Sequence, residues 1–240
     1  MPIPNALPES VPVADLRAQH ENLAAKTYRL LRQLIVTRAI PPGGKVTADG
    51  LAQRFGVSRT TTKGALDQLA AEGFLEVRPQ VGTFVRGLTA QAVREIWDVR
   101  AIIESAAAYR GVSLATDEQR RELRSLVDQM APLVQDHEYR EETYEQSVAL
   151  NRRFHELVLQ TACNARLVAI YRQLEAYVHI TNYRSRRGLR RADLALEEHD
   201  ALATAYERRE PDLAAKIVTR HIERSRDAVL EALVNLGNVL

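Results

Sequence analysis

The most constraining feature of the chain is the run TADGLAQRFGVSRTTTKGALDQLAAEGFLEV at residues 47–77, where two short helical patterns flank a tight turn. Apolar residues at helical spacing precede Gly56, a residue type that commonly ends helices, and Ser58 can cap a second helix. The strand-like segments FLEV and GTFV then flank RPQV as a short hairpin. A further helical pattern runs from Leu23 to the PPGG at residues 41–44. Three helices followed by a hairpin are the plan of a winged helix-turn-helix.

Positive charge is concentrated in the same region. Residues 22–86 hold ten Lys/Arg against four Asp/Glu, a net charge of +6, whereas residues 87–240 hold 22 against 24. A basic block of domain size beside a slightly acidic one favours a polyanion as the partner of the first block alone. An ordinary solvated basic face would have the same composition, so charge alone leaves both interpretations open.

The remaining composition restricts the class of protein. Hydrophobic residues make up 45% of the chain, enough for a packed core, and the single cysteine, Cys163, excludes an intramolecular disulfide and fits a reducing cytoplasm. No apolar run approaches the ~18 residues of a membrane span, so no membrane partner is expected. Residues 1–20, with prolines at four of the first twelve positions, are predicted to form a flexible arm.

After a linker at residues 86–89, the periodicity predicts helix throughout. Six long amphipathic helices with short connections favour an antiparallel bundle, so the fold class is mainly α: a winged helix-turn-helix followed by an all-helical antiparallel bundle. We place the winged domain at residues 21–87 and the helical domain at 90–237. The predicted helices are 90–112, 117–135, 138–162, 165–187, 190–209 and 211–236, ending near Gly111, Pro132, Asn164, Gly188 and Pro211.

The start of the second helix of a helix-turn-helix is the part that enters the major groove. Arginine can pair with guanine O6 and N7, and threonine offers a hydroxyl to phosphate and a methyl group to thymine. A capped, soluble helix start would be the plainer interpretation, but the turn before it and the wing after it favour DNA binding. The candidate DNA-binding residues are Ser58, Arg59, Thr60, Thr61 and Lys63.

The run GLAQRFGVSRTTTKGALDQLAAEGFLEVRPQVGTFV resembles the DNA-binding domain of GntR-family regulators, and the helical remainder resembles the FadR-type (FCD) ligand-sensing domain. The resemblance implies a homodimeric transcription regulator, commonly a repressor, in which these five residues contact operator DNA and the wing tip reaches the minor groove. Two departures from the family pattern put the operator sequence in question. Asp49 or Gly50 replaces an arginine, and Lys63-Gly64 stands where an Arg-Glu pair is usual.

Three histidines in the helical region are candidate metal ligands. Asn151 and His155 are four residues apart and so share a helix face, while His199 and His221 lie on two later helices. Spacing alone more often indicates scattered surface or packing histidines. The resemblance implies a site, because the metal-binding class of FadR-type domains has an Asp-x-x-x-His pair followed by two further histidines. Here Asn151 replaces the aspartate, and zinc or nickel is the expected ion; His20, His137 and His179 match nothing in this pattern.

The resemblance also implies that Arg100 lines the effector cavity, although an ion pair with Glu104 at i+4 is the plainer interpretation. A neutral Asn151 leaves the full charge on the ion, so the expected effector is a small carboxylate held between metal and arginine. A stripe formed by Tyr177, Thr181 and Arg184 is more typical of core or interface.

Two other functions fit parts of the chain. A three-histidine metal site beside Glu198 could activate water, as in a hydrolase tethered to a DNA-binding module. Glu198 directly precedes His199, however, which places their side chains about 100° apart on a helix. An architectural DNA binder would leave the helical bundle without a role. The predicted function is therefore a DNA-binding regulator and not an enzyme.

Overall fold

The structure is a computed structural model and describes residues 23–36, 38–135, 141–184 and 189–235. It confirms the predicted fold class, because three helices and a small antiparallel sheet precede a series of long helices. The arm predicted at residues 1–20 lies outside the described residues. None of the described helices is long and apolar enough to cross a membrane.

The helix-turn-helix forms where the capping residues predict it. Thr47 caps the second helix by accepting a hydrogen bond from the Gly50 amide at 3.2 Å, and Gly56 ends that helix with φ +65°. Ser58 caps the third helix by accepting from the Thr61 amide at 3.0 Å, as predicted. The first two helices both pack against the third. These helices are α1 (Leu23–Val36), α2 (Ala48–Phe55) and α3 (Arg59–Ala71).

The wing is a three-stranded antiparallel sheet with strand order β1-β3-β2. The predicted hairpin is confirmed as β2 (Leu75–Arg78) and β3 (Gly82–Val85). Strand β1 (Lys45–Val46) was not predicted; it adds to the outer edge of β3, with Lys45 opposite Phe84. Two residues are too few to show strand periodicity, and the pairing joins segments nearly forty residues apart, so the sequence carries no local signal for it.

The described part of the helical region forms six long helices, close to the predicted bounds, of which α5 packs against α6 and α8. The predicted stop at Gly111 is wrong, because α4 continues for three further residues. A β-carbon at Gly111 would overlap the Thr161 hydroxyl and lie 2.7 Å from the hydroxyl of Tyr206, so this glycine permits close helix packing. The helices are α4 (Ala90–Leu114), α5 (Asp117–Gln135), α6 (Glu141–Thr161), α7 (Ala165–Arg184), α8 (Leu189–Arg208) and α9 (Pro211–Asn235).

The described residues divide into two compact units. The first holds the residues up to Ala90, the end of α7 from Glu175, and the end of α9 from Leu233. The second holds the rest of the helical region, whose core includes side chains from α4, α6 and α7. Its central cluster consists of Ile103, Ala107, Leu159, Ala162 and Tyr171.

Candidate metal centre and nucleic-acid interface

The first turn of α3 presents most of the predicted DNA-binding residues to solvent. Ser58, Arg59, Thr60 and Lys63 are exposed, and Thr61 is half-buried. The Thr61 hydroxyl lies 2.7 Å from the Ser58 hydroxyl, so these two side chains also stabilise the helix start. The apolar face of α3, with Ala65, Leu66 and Leu69 buried, packs away from them. The arrangement offers a capped helix end with exposed polar groups, which is what groove recognition needs.

One ion pair joins the starts of the two helices of this motif. The Arg59 Nε lies 3.2 Å from the Asp49 Oδ1, and both side chains are 72% exposed. Lys63 makes no ion pair within the described residues. Gly64, next to it, is also exposed, and a β-carbon there would meet no atom within 4 Å.

The three candidate histidines converge inside the helical unit. His155 on α6, His199 on α8 and His221 on α9 each contribute one ring nitrogen, and these nitrogens all lie within 4.8 Å of one another. His155 and His199 are buried and His221 is nearly so. Their ring centroids are 4.8–5.4 Å apart.

A buried carboxylate on α4 orients the first imidazole. The Glu104 Oε2 lies 2.7 Å from His155 Nδ1, and its other oxygen accepts from Arg100 Nε at 2.8 Å. Burial alone would raise the pKa of Glu104, but the charges and hydrogen bonds of Arg100 and His155 outweigh it and hold that pKa at about 2. Because Glu104 is ionised it can only accept, so His155 carries its proton on Nδ1 and keeps Nε2 for a metal.

Glu198 does the same for the third imidazole. Its Oε2 lies 2.8 Å from His221 Nδ1, and its Oε1 accepts from Arg224 at 2.5 Å. Burial raises the pKa of Glu198, but the hydrogen bonds and charges of His221 and Arg224 bring it below its usual value. A carboxylate with both oxygens engaged is poorly placed to take a proton from water, which argues against the hydrolase alternative.

The second imidazole has no such partner. His199 Nε2 is buried and has no hydrogen-bond partner among the described residues. Burial, together with the charges of His221 and His155, holds the pKa of His199 well below its usual value, so the ring is neutral. With the nitrogens of the other two imidazoles, this neutral, buried nitrogen makes up a set of donors that zinc and similar divalent metals bind. The residues therefore fit a metal ion.

Of the other two predicted site residues, Asn151 lies on a helix that carries one of the histidines, and Arg100 lies on α4 beside Glu104. Asn151 is half-buried one turn before His155 on α6. Arg100 is 2% exposed and forms the ion pair with Glu104 that its i+4 spacing allowed. Only its Nε is used, so its two terminal nitrogens have no hydrogen bond to a described residue. The guanidinium lies 5.4 Å from the ring centre of Trp97, whose buried indole nitrogen also has no partner among the described residues.

Sequence reasoning missed Glu104 and Glu198 as the carboxylates that orient the histidines. Glu104 appeared only as an ion-pair partner, and Glu198 only as a base beside His199. A signal did exist, because metal-binding histidines usually donate their second ring N–H to a carboxylate. Which carboxylate contacts which histidine, however, depends on how the helices pack, and the sequence does not show that. Of the stripe set aside on α7, Tyr177 packs with Arg86, whereas the side chains of Thr181 and Arg184 lie outside the described residues.

Comparison with known proteins agrees with this architecture. Residues 23–85 match the gntR family of bacterial regulatory proteins, and residues 95–224, more than half of the chain, match the FCD domain. The chain is 28% identical over 202 residues to the HTH-type transcriptional repressor RspR of Escherichia coli, covering 84% of this chain and 86% of that protein.

Solved structures share the fold. One is Lar, described as controlling the expression of the Listeria monocytogenes agr system; it aligns with a TM-score of 0.68 at 17% identity over 89% of this chain and 99% of Lar. Another is the metal-free FCD domain of TM0439, with a TM-score of 0.50 at 13% identity over 62% of this chain and 98% of that domain. At these identities the likeness extends to the fold alone.

Proposed function

Because the chain belongs to the GntR family of bacterial regulatory proteins and carries an FCD domain, we propose that it is a homodimeric cytoplasmic repressor controlled by a small carboxylate and a divalent metal ion. The family establishes the broader function: the chain is a DNA-binding transcriptional regulator with an effector-binding domain, and its relatives are regulators rather than hydrolases. The observation that carries the proposal is the convergence of three imidazole nitrogens, two of them on buried rings, within 4.8 Å of one another.

The DNA-binding part of the proposal uses the start of α3. Arg59 contacts a base, Lys63 contacts a phosphate, and Ser58, Thr60 and Thr61 contact the sugar-phosphate backbone or thymine methyl groups. The exposure of all of them but the half-buried Thr61, at the capped end of one helix, supports these roles.

The metal part uses His155, His199, His221 and the amide oxygen of Asn151 as ligands, with zinc or nickel as the ion. A bound divalent ion would supply a positive charge that attracts an anion. Glu104 and Glu198 each accept a hydrogen bond from Nδ1 of an imidazole, which leaves Nε2 of that ring able to bind a metal ion. Burial keeps water away from the rings. Asn151 brings no negative charge, whereas an aspartate would offset part of the charge of the ion.

Arg100 is the second anchor for the carboxylate. Glu104 accepts from its Nε and fixes the plane of the guanidinium, so its two terminal nitrogens remain as a pair of donors of fixed direction. An acid with acceptors at two ends could bind the ion and this pair together. Such binding needs to supply only ~1–3 kcal/mol of coupling to change operator affinity 5- to 150-fold.

The homodimer is supported by an apolar seam on α4, which we define as Val99, Ile102, Ala106 and Tyr109. All four side chains are exposed, with Ile102 at 67% and Tyr109 at 52%. Their spacing of three, four and three residues is the repeat by which two helices pack along a seam. A second copy of the chain would cover these side chains and provide the two DNA-binding domains that a palindromic operator needs. Sedimentation of the wild type and of Ile102→Glu checks this, since a charge in the seam should give monomers.

The decisive experiment for metal-mediated sensing is Asn151→Asp. Elemental analysis should find about one divalent ion per chain in the wild type, and thermal-shift screening of small organic acids against the metal-loaded protein should identify a binder. The aspartate variant should hold the metal more tightly and the acid more weakly, because its charge offsets that of the ion. His199→Ala is the control and should lose most of the metal. Acid affinity that is unchanged or improved in Asn151→Asp, at equal metal occupancy, would refute the proposal.

A further inference from the structure

The ion pair between Asp49 and Arg59 places a negative charge on the surface that we propose binds DNA. Asp49 lies in the first turn of α2, and Arg59 is the first residue of α3. Their carboxylate oxygen and Nε are 3.2 Å apart, and both side chains are 72% exposed. A carboxylate at this place repels the phosphate backbone and lowers affinity for DNA of every sequence. A carboxylate that lowers DNA affinity is explained if it improves another property of DNA binding.

We propose that Asp49 is a positioning residue that holds Arg59 for recognition of one guanine and thereby determines sequence specificity. The inference rests on the proposed contact between Arg59 and a base. A guanidinium has donors on Nε and on two terminal nitrogens, and guanine presents two acceptors, O6 and N7, in the major groove. The Asp49 carboxylate makes its ion pair on the Nε side of the guanidinium. The two terminal nitrogens are left for DNA, and two parallel donors match two acceptors.

The same contact discourages non-specific binding by Arg59. A long arginine side chain samples many rotamers and can reach phosphates on either side, which contributes affinity without discrimination. The pair with Asp49 restricts those rotamers, and its negative charge repels a phosphate that approaches the same guanidinium. Both effects lower the affinity for unrelated DNA more than the affinity for the correct sequence. The ratio of specific to non-specific affinity therefore rises.

A role in folding is a poor explanation for the pair. Ion pairs between exposed side chains contribute little to stability, since water screens the charges and the side chains lose conformational freedom. Helix α2 already has its N-cap in Thr47, which accepts the hydrogen bond from Gly50. Removal of the Asp49 carboxylate should therefore leave the unfolding free energy nearly unchanged, and stability becomes a check on the interpretation.

The test begins with selection of an operator by the full-length wild-type chain from a pool of random-sequence DNA duplexes. Binding is then measured for the selected duplex, for duplexes with single base pairs changed, and for an unrelated duplex. In Asp49→Ala, the unrelated duplex should bind ~3- to 10-fold more tightly at low salt. Discrimination at one base pair in each half-site should fall by a similar factor. Asp49→Asn removes the charge but keeps the side-chain shape and an oxygen beside Nε, so it should retain more of the discrimination than Asp49→Ala.

Asp67→Ala is the matched control, because Asp67 is an exposed aspartate on the same helix as Arg59 and its removal changes the net charge equally. It should raise non-specific affinity without changing discrimination at any base pair. Equal discrimination in Asp49→Ala, Asp67→Ala and the wild type would overturn the proposal while leaving the Arg59 contact in place, provided that Arg59→Ala loses discrimination. Unchanged discrimination in Arg59→Ala would instead overturn both roles, and a selection that enriches no sequence would count against operator binding itself.

Discussion

The two candidate sites of this chain hold their charged side chains in opposite ways. At the start of α3, Arg59 is 72% exposed and has one exposed ionic partner, Asp49. In the histidine cluster, Glu104 is completely buried and holds both Arg100 and His155. The exposed ion pair costs little to break, so Arg59 and Asp49 can give up their contacts with water and with each other when DNA binds. The histidine cluster is held on several sides, so its geometry is set before any ligand arrives.

The difference predicts where substitutions will affect folding and where they will affect binding alone. A buried charge that loses its partner is costly, whereas an exposed one is solvated at once. Substitutions at the recognition helix should therefore change DNA affinity with little effect on stability. Substitutions of Glu104 should lower stability as well as ligand binding, because the same carboxylate holds both Arg100 and His155.

The largest expected effect is that of Glu104→Ala. The change leaves the buried Arg100 charge without its carboxylate, so the unfolding free energy should fall by ~3–5 kcal/mol in urea denaturation followed by circular dichroism. Asp49→Ala is the matched substitution, since it also removes a carboxylate from an arginine, and it should cost ~0–1 kcal/mol. Equal losses of unfolding free energy in the two variants would mean that burial does not determine how much each carboxylate contributes to stability.

Acid should destabilise the metal-free chain in two stages. Burial and the neighbouring imidazoles lower the pKa values of His199 and His221 below the 6.5 of a free histidine. The unfolded chain then binds more protons, so stability is complete above pH 6.5 and falls as the pH drops below it. A second loss should start below pH 4.5 and continue towards pH 2, because the pKa of Glu104 is about 2 when folded against 4.5 for a free carboxyl. Urea midpoints that are constant between pH 7 and pH 5 would contradict the first stage.

Two helical glycines should give smaller effects than Glu104, and of opposite sign to each other. Gly111→Ala should destabilise by ~1–3 kcal/mol, because its β-carbon would overlap Thr161 in the packed core. Gly64→Ala should stabilise by ~0.5–1 kcal/mol, because an exposed helical alanine loses less backbone entropy than glycine and meets no atom within 4 Å. Thermal melts of both variants measure the pair, and effects of the same sign would show that the two environments are not distinct.

The sequence predicts the parts of the structure that local chemistry decides. Gly56 and Ser58 locate the turn because their backbone and capping preferences act within a few residues. The partners of the histidines depend on packing between distant segments, as with Glu104 and His155, which are 51 residues apart. Glu198 shows the limit most clearly: it is adjacent to His199 in sequence, yet the imidazole it contacts is that of His221, on the next helix.

Trp97 gives the helical unit a built-in optical reporter. It is the single tryptophan of the chain, it is 1% exposed, and it lies against the guanidinium of Arg100 on α4. All indole fluorescence of the protein therefore originates at one position, without any label. A ligand that reaches Arg100 should change the colour or intensity of that emission, whereas DNA binding that leaves α4 unaltered should not.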